Sequence, residues 1–97
     1  MELIGCQLNM TWENKESSHR RIRELFSDAE IKPGSLIVLP EMFSTGFSMN
    51  VAAIHDVDSE LDLGFLKELA TAHESFVIGG LVTKADETLG SNDSVLI

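Results

Sequence analysis

Apolar residues in this chain recur with two different periods, and these divide it into strands and helices. Leu3-Ile4-Gly5-Cys6-Gln7-Leu8, Leu36-Ile37-Val38-Leu39 and Phe76-Val77-Ile78-Gly79-Gly80-Leu81-Val82 are short, nearly unbroken apolar runs. Strands buried on both faces, as in a parallel sheet, have this pattern. Between the first two runs, Ser18, Ile22, Leu25, Phe26 and Ala29 fall at i, i+4, i+7, i+8 and i+11, a helical stripe. Between the second and third, Phe65, Leu66, Leu69, Ala70 and His73 share one helical face. Thr11 is the expected N-cap of the first helix, with Glu13 in its first turn, and Lys32-Pro33-Gly34 ends it. Ser59-Glu60-Leu61-Asp62 has the form of a capping box ahead of the second helix, with Asp in the last place. Lys84 to Gly90 reads as a turn, short enough for an antiparallel hairpin into a strand ending Ser94-Val95-Leu96-Ile97. The order β-α-β-α-β-β places the chain in the α/β class.

Right-handed crossovers between sequential neighbours put both helices on one side of such a sheet. The other side then lacks cover although the strands are apolar on both faces. Either the strand order reverses, giving a doubly wound, flavodoxin-like sheet, or a second layer covers the bare face. Periodicity alone favours the open, doubly wound form. Gly79-Gly80 lies inside a strand and lacks phosphate-loop spacing, so it predicts close backbone approach.

The second apolar run ends at Pro40, which has no N–H to continue a ladder. Glu41 follows at the carboxyl end of that strand, the edge where open α/β sheets bind ligands. A carboxylate there is expected to be partly desolvated and is a candidate proton acceptor. The alternative is a helix cap or an ion-paired surface group. The loop beyond it holds Met42, Phe43, Phe47 and Met49, too much apolar surface for an ordinary surface loop. It should therefore fold inward, as pocket-lining loops do, or pack as irregular helix on the core. Met49 to Ile54 is expected to form a short helical turn.

The segment from Leu39 to Met49, LPEMFSTGFSM, closely resembles the first catalytic segment of the nitrilase superfamily of carbon–nitrogen hydrolases. It is most similar to the ω-amidase branch, whose members carry P-E-M-F-x-T-G-F here. The likeness runs from Glu2 to the C-terminus, though the flanks are generic α/β sequence. That family works with a Glu, a Lys and a Cys nucleophile, in that chain order. Glu41 is the counterpart of the first. The resemblance implies a Lys shortly after Ile97 and a Cys further on. It also implies that residues 1–97 are the N-terminal part of a single truncated domain, an expectation that the ending within an apparent strand supports. The implied fold is the β-α-β-α-β-β portion of a four-layer α-β-β-α sandwich. Glu41 is the expected catalytic base, and Phe43 and Phe47 are candidate substrate contacts. The implied reaction is hydrolysis of a small ω-amide through a Cys thioester, with no cofactor and no metal. This chain alone is expected to be inactive.

Charge and cysteine content narrow the partners. The net charge is −9, and eight of the nine excess negative charges follow Lys32. Without a basic patch, nucleic-acid and anionic-membrane binding are not expected. The arginines Arg20, Arg21 and Arg23 alternate with Glu16, Glu24 and Asp28 and read, like His19, as a solvated face. Cys6 is the single cysteine. It precludes an internal disulfide and fits a reducing compartment, hence a cytoplasmic expectation. Set in an apolar run with no local cation, it reads as a core thiol. His55-Asp56-Val57-Asp58 has metal-ligand residue types but no second His or Cys at ligand spacing. A small-molecule amide and further copies of the chain are the expected partners. The competing reading from another class is a complete, non-catalytic α/β binding domain. It accounts for the absent nucleophile but not for the PEMFSTGF segment.

Overall fold

The computed structural model describes residues 1–55, 61–84 and 89–97. Its elements are β1 (Leu3–Gly5), α1 (Lys15–Ser27), β2 (Leu36–Val38), α2 (Val51–Ile54), α3 (Leu61–His73), β3 (Phe76–Lys84) and β4 (Gly90–Leu96). The strands form one sheet in the order β1-β2-β3-β4. β1, β2 and β3 run parallel, and β4 returns antiparallel to β3, with Ile78 opposite Leu96 and Lys84 opposite Gly90. The expected hairpin is therefore present, while most of its turn, residues 85–88, lies outside the described residues.

The parallel strands are shorter than their apolar runs. Beyond their ends, the Cys6 N–H donates to the Val38 carbonyl at 2.9 Å and the Leu39 N–H to that of Ile78 at 2.8 Å. Pro40 then stops the pairing, as its missing N–H requires.

α1 begins later than expected. Its N-cap is Asn14, whose side-chain oxygen accepts from the Ser17 N–H at 3.0 Å. Thr11 instead exchanges hydrogen bonds with the Ser18 hydroxyl: its N–H donates at 3.1 Å and its carbonyl accepts at 3.2 Å. The buried face of α1 is Ser18, His19, Ile22 and Phe26, whereas Leu25 and Ala29 are exposed. The capping residues expected for the second helix, Ser59 and Glu60, lie outside the described residues. Asp62, expected to close that box, is buried.

One face of the sheet is closed. Ile4, Ile37 and Val77 stand side by side in register. They pack with Ile22 and Phe26 of α1 and Phe65, Leu66 and Leu69 of α3 in a single core. Strand order does not reverse and both helices share this core, so the described residues do not form a doubly wound sheet. The opposite face carries Leu3, Leu36 and Phe76 in the same register, and Leu3, Phe76 and Leu96 are exposed. Among the described residues, cover on that side exists only toward the carboxyl end of β3, where Met42, Ile54 and Val82 form a second small cluster with Val51. None of the described helices is long and apolar enough to cross a membrane.

Candidate active site

The loop after β2 passes over the carboxyl end of the sheet and sends consecutive side chains to opposite faces. Phe43 enters the helix-side core and is fully buried, and Met42 joins the small cluster on the other side. Met42 makes this split with φ of 48°, a left-handed conformation unusual for a side-chain-bearing residue. Gly80 makes room for the crossing. A Cβ on Gly80 would lie 2.8 Å from Glu41 Cα and 3.1 Å from the Met42 nitrogen, both backbone atoms. On the other face, a Cβ at Gly79 would meet Leu66 and Phe43. The paired glycines thus serve the close approach expected of them.

Glu41 sits on top of this crossing and is exposed. The expected desolvation is absent, because no layer lies over the loop within the described residues. Further along, Gly46 takes φ of 75°, and a Cβ there would come within 3.0 Å of the Trp12 ring. The Glu13 N–H donates to the Thr45 carbonyl at 2.9 Å, and the Ser48 hydroxyl donates to the Glu13 carboxylate at 2.9 Å. These contacts tie the loop to the segment before α1.

The apolar side chains of the loop divide. Phe43 is fully buried and packs in the helix-side core. Phe47 and Met49 remain exposed and edge a groove of about 350 Å³ with Met42, Val51, Val82 and Leu89. Of the loop's four apolar side chains, Met42 and Phe43 fold inward. The expected turn after Met49 is α2, closed by the His55 Nδ1–H donating to the Val51 carbonyl at 2.7 Å. Asp56, Val57 and Asp58 lie outside the described residues. Among the described residues no three His, Cys, Asp or Glu side chains gather as metal ligands.

Beneath the loop is a buried polar cluster. The Asp62 carboxylate, 1% exposed, accepts from Lys15 Nζ and from His19 Nε2, each at 2.8 Å. A carboxylate can only accept, so Nε2 of His19 carries the proton. Burial pushes the Asp62 carboxyl up, but the His19 and Lys15 donors outweigh it and hold the group below the ordinary carboxylate range. The His19 ring stacks on Phe65 at 4.3 Å and 3°, and on Phe43 at 5.9 Å. His19 is therefore no surface residue. Sequence reasoning missed this cluster because His19 was read as part of a solvated face and Asp62 as the end of a capping box. A signal was present: Lys15, His19, Ile22 and Phe26 follow helical spacing, and so do Asp62, Phe65, Leu66 and Leu69.

Residues 5–97 match the carbon-nitrogen hydrolase family model. The chain belongs to that family. Glu41, with its loop and glycine seat, falls within the matched span. Among solved structures, two crystal structures of N-terminal amidase, one with a Gln-Gly peptide, superpose with TM-scores of 0.78 and 0.79. Each is 19% identical over 98% of this chain. At that identity the likeness shows the shared fold. The chain spans 24% of the length of those amidases. None of the curated proteins matches it. Within this family member, Cys6 packs half-buried against the helix-side core, and burial pushes its thiol up, as expected of a structural cysteine.

Proposed function

We propose that this chain supplies the general-base segment of an amide hydrolase, with Glu41 as the base. The observation that carries the reading is the seat of Glu41: an exposed carboxylate at the carboxyl end of a parallel strand, its backbone fixed against Gly80, inside the span that matches the family. Amides resist water because resonance weakens the carbonyl as an electrophile and the amine is a poor leaving group. A thiolate splits the reaction into two easier steps through a thioester. Glu41 takes the thiol proton, passes it to departing ammonia, and then activates the water that releases the acid. A lysine ammonium stabilises the tetrahedral oxyanion.

Cys6 is not the thiol in this scheme, since it is packed on the core with a raised pKa. The thiol and the lysine belong, on this reading, to chain beyond Ile97, as does the second sheet that completes an α-β-β-α sandwich over the open face. The P-E-M-F-x-T-G-F segment supports the ω-amidase branch and hence a small ω-amide of a dicarboxylic keto acid as substrate. Phe47, on the rim of the groove beside Met42, and Phe43, buried under the loop, are the candidate substrate contacts. A cytoplasmic, homo-oligomeric enzyme fits this reading.

Ammonia release by the protein extended beyond Ile97 is the test, with the 97-residue chain as inactive blank. Glu41→Gln is isosteric but cannot accept a proton, and turnover should fall by about 10²–10⁴-fold with the circular dichroism spectrum unchanged. Asp58→Asn and His55→Ala should be mild. Retention of most of the rate by Glu41→Gln would show that another group is the base.

A further inference from the structure

The geometry points to a clamp on the Glu41 loop: we propose that Glu13, in the turn before α1, is a positioning residue of Glu41, holding the arm of the loop beyond Met42 by its N–H and its carboxylate. This rests on the reading of Glu41 as the base. Among the described residues, three side-chain-bearing residues have a left-handed backbone, and two of them, Glu13 at φ of 51° and Met42 at φ of 48°, lie in this one unit. Backbone of that kind persists only where the surroundings enforce it, and it gathers at active sites and clamps. The helix does not explain Glu13. α1 is capped by Asn14, and Thr11 pairs with Ser18, so neither the N–H nor the carboxylate of Glu13 serves the start of the helix.

Both groups go to the loop instead. The N–H donates to the Thr45 carbonyl at 2.9 Å, and the carboxylate accepts from the Ser48 hydroxyl at 2.9 Å. Between those two points lies Gly46, with the Trp12 ring so near that a Cβ would come within 3.0 Å of it. Thr45 and Ser48 are both buried, and the Ser48 hydroxyl also accepts from the Asn50 N–H at 3.1 Å. The clamped arm reaches Glu41 in one step. The Thr45 and Gly46 N–H groups converge on the Met42 carbonyl at 3.3 and 3.0 Å, and Met42 is the next residue after Glu41. On the sheet side the loop is held more loosely: the Phe43 N–H reaches the Gly80 carbonyl at 3.4 Å, beyond the usual hydrogen-bonding distance. A catalytic group displaced by roughly 1 Å loses about 10²-fold in rate, so the hold on this arm bears on turnover and not on stability alone.

Amide hydrogen exchange on the 97-residue chain and ammonia release by the protein extended beyond Ile97 test this together. Glu13→Ala removes the carboxylate and keeps the backbone bond to Thr45. Glu13→Gln keeps a side-chain oxygen that accepts from Ser48. Glu13→Ala should quicken exchange at Thr45 and Gly46 about tenfold, the loss of one hydrogen bond, while the sheet amides of Leu39 and Val77 keep their rates. In the extended protein it should lower kcat about tenfold or more with KM unchanged, and Glu13→Gln should restore both readouts. The proposal is overturned if Glu13→Ala leaves the loop amides at their original rates, if loop and sheet amides quicken by one common factor, if Glu13→Gln is as impaired as Glu13→Ala, or if the loop loosens and kcat is kept. In that last case an inactive Glu41→Gln still leaves Glu41 as the base. Retention of rate by Glu41→Gln removes the base, and the positioning role with it.

Discussion

The two faces of the sheet are built from the same apolar strands and meet opposite fates. On one, Ile37 and Val77 are fully buried under α1 and α3. On the other, Leu36 is half-buried, and Leu3 and Phe76, aligned with it across the sheet, are 71% and 50% exposed. The difference follows from topology rather than from composition. Two parallel steps in sequential order place both crossovers on one side. The loop carrying Glu41 reaches round only far enough to cover Val82. Among the described residues, strands that are apolar on both faces thus have a helical layer on one face and only marginal cover on the other.

The largest expected consequence is self-association. Burying one aliphatic or aromatic side chain contributes roughly 1.5–3 kcal/mol. Leu3, Leu36, Val38, Phe76, Ile78 and Leu96 together represent a gross driving force on the order of ten kcal/mol, reduced by the entropy lost on association. Sedimentation of the 97-residue chain at micromolar concentration should show a dimer or larger species. Phe76→Lys should shift it toward monomer. A compact monomer that binds no hydrophobic dye would mean that the second face is covered in solution, and the contrast between the faces would vanish.

A smaller effect separates the faces residue by residue. Leu66→Ala removes a fully buried side chain from the helix-side core and should cost about 2–5 kcal/mol in urea denaturation. Phe76→Ser, measured below the association threshold, should cost much less, because half of that ring already meets solvent. Equal losses would again show that the open face is packed against something.

Much of the fold was legible because it rests on periodicity. The three apolar runs, the two long helices, the hairpin and the glycine seat follow from spacing and from the conformational limits of Pro and Gly. The position of Glu41 was legible for the same reason, since a strand that ends in Pro must release its next residue at the sheet edge. Two parts were not. Thr11 and Asn14 are both capable caps, and only the pairing of Thr11 with Ser18 leaves the role to Asn14. His19 and Asp62 look like solvated residues until tertiary packing brings them within 2.8 Å of each other. Charge complementarity between distant helices has no period to read. Phe43 and Phe47 show the same limit at the site. Four residues apart in one loop, they are alike in sequence, yet one is wholly buried and the other 62% exposed.

The buried charge should make the closed face, and not the open one, sensitive to acid. Asp62 is held below its ordinary value of 3.8 in the folded chain. A carboxyl whose folded pKa lies below its unfolded one contributes stability above the unfolded value, and that contribution is lost as pH falls through the folded value. The loss therefore belongs to the range from about pH 4 downward, and the range from pH 5 to 7 should be flat in this respect. Protonation leaves the Lys15 ammonium, 13% exposed, beside a neutral partner in a poorly solvated place. Glu68 and Asp93 are also held down, by hydrogen bonds from Arg23 and from Ser91 and Thr83 respectively, but both are near the surface and titrate in contact with solvent. The difference between the chain and Asp62→Asn isolates the buried group. Urea midpoints of the two should run parallel from pH 7 to 5 and converge below pH 4, as the unaltered chain loses what the variant never had. A constant gap down to pH 2 would mean that Asp62 has the same pKa folded and unfolded, so that its charge contributes nothing to holding α1 against α3.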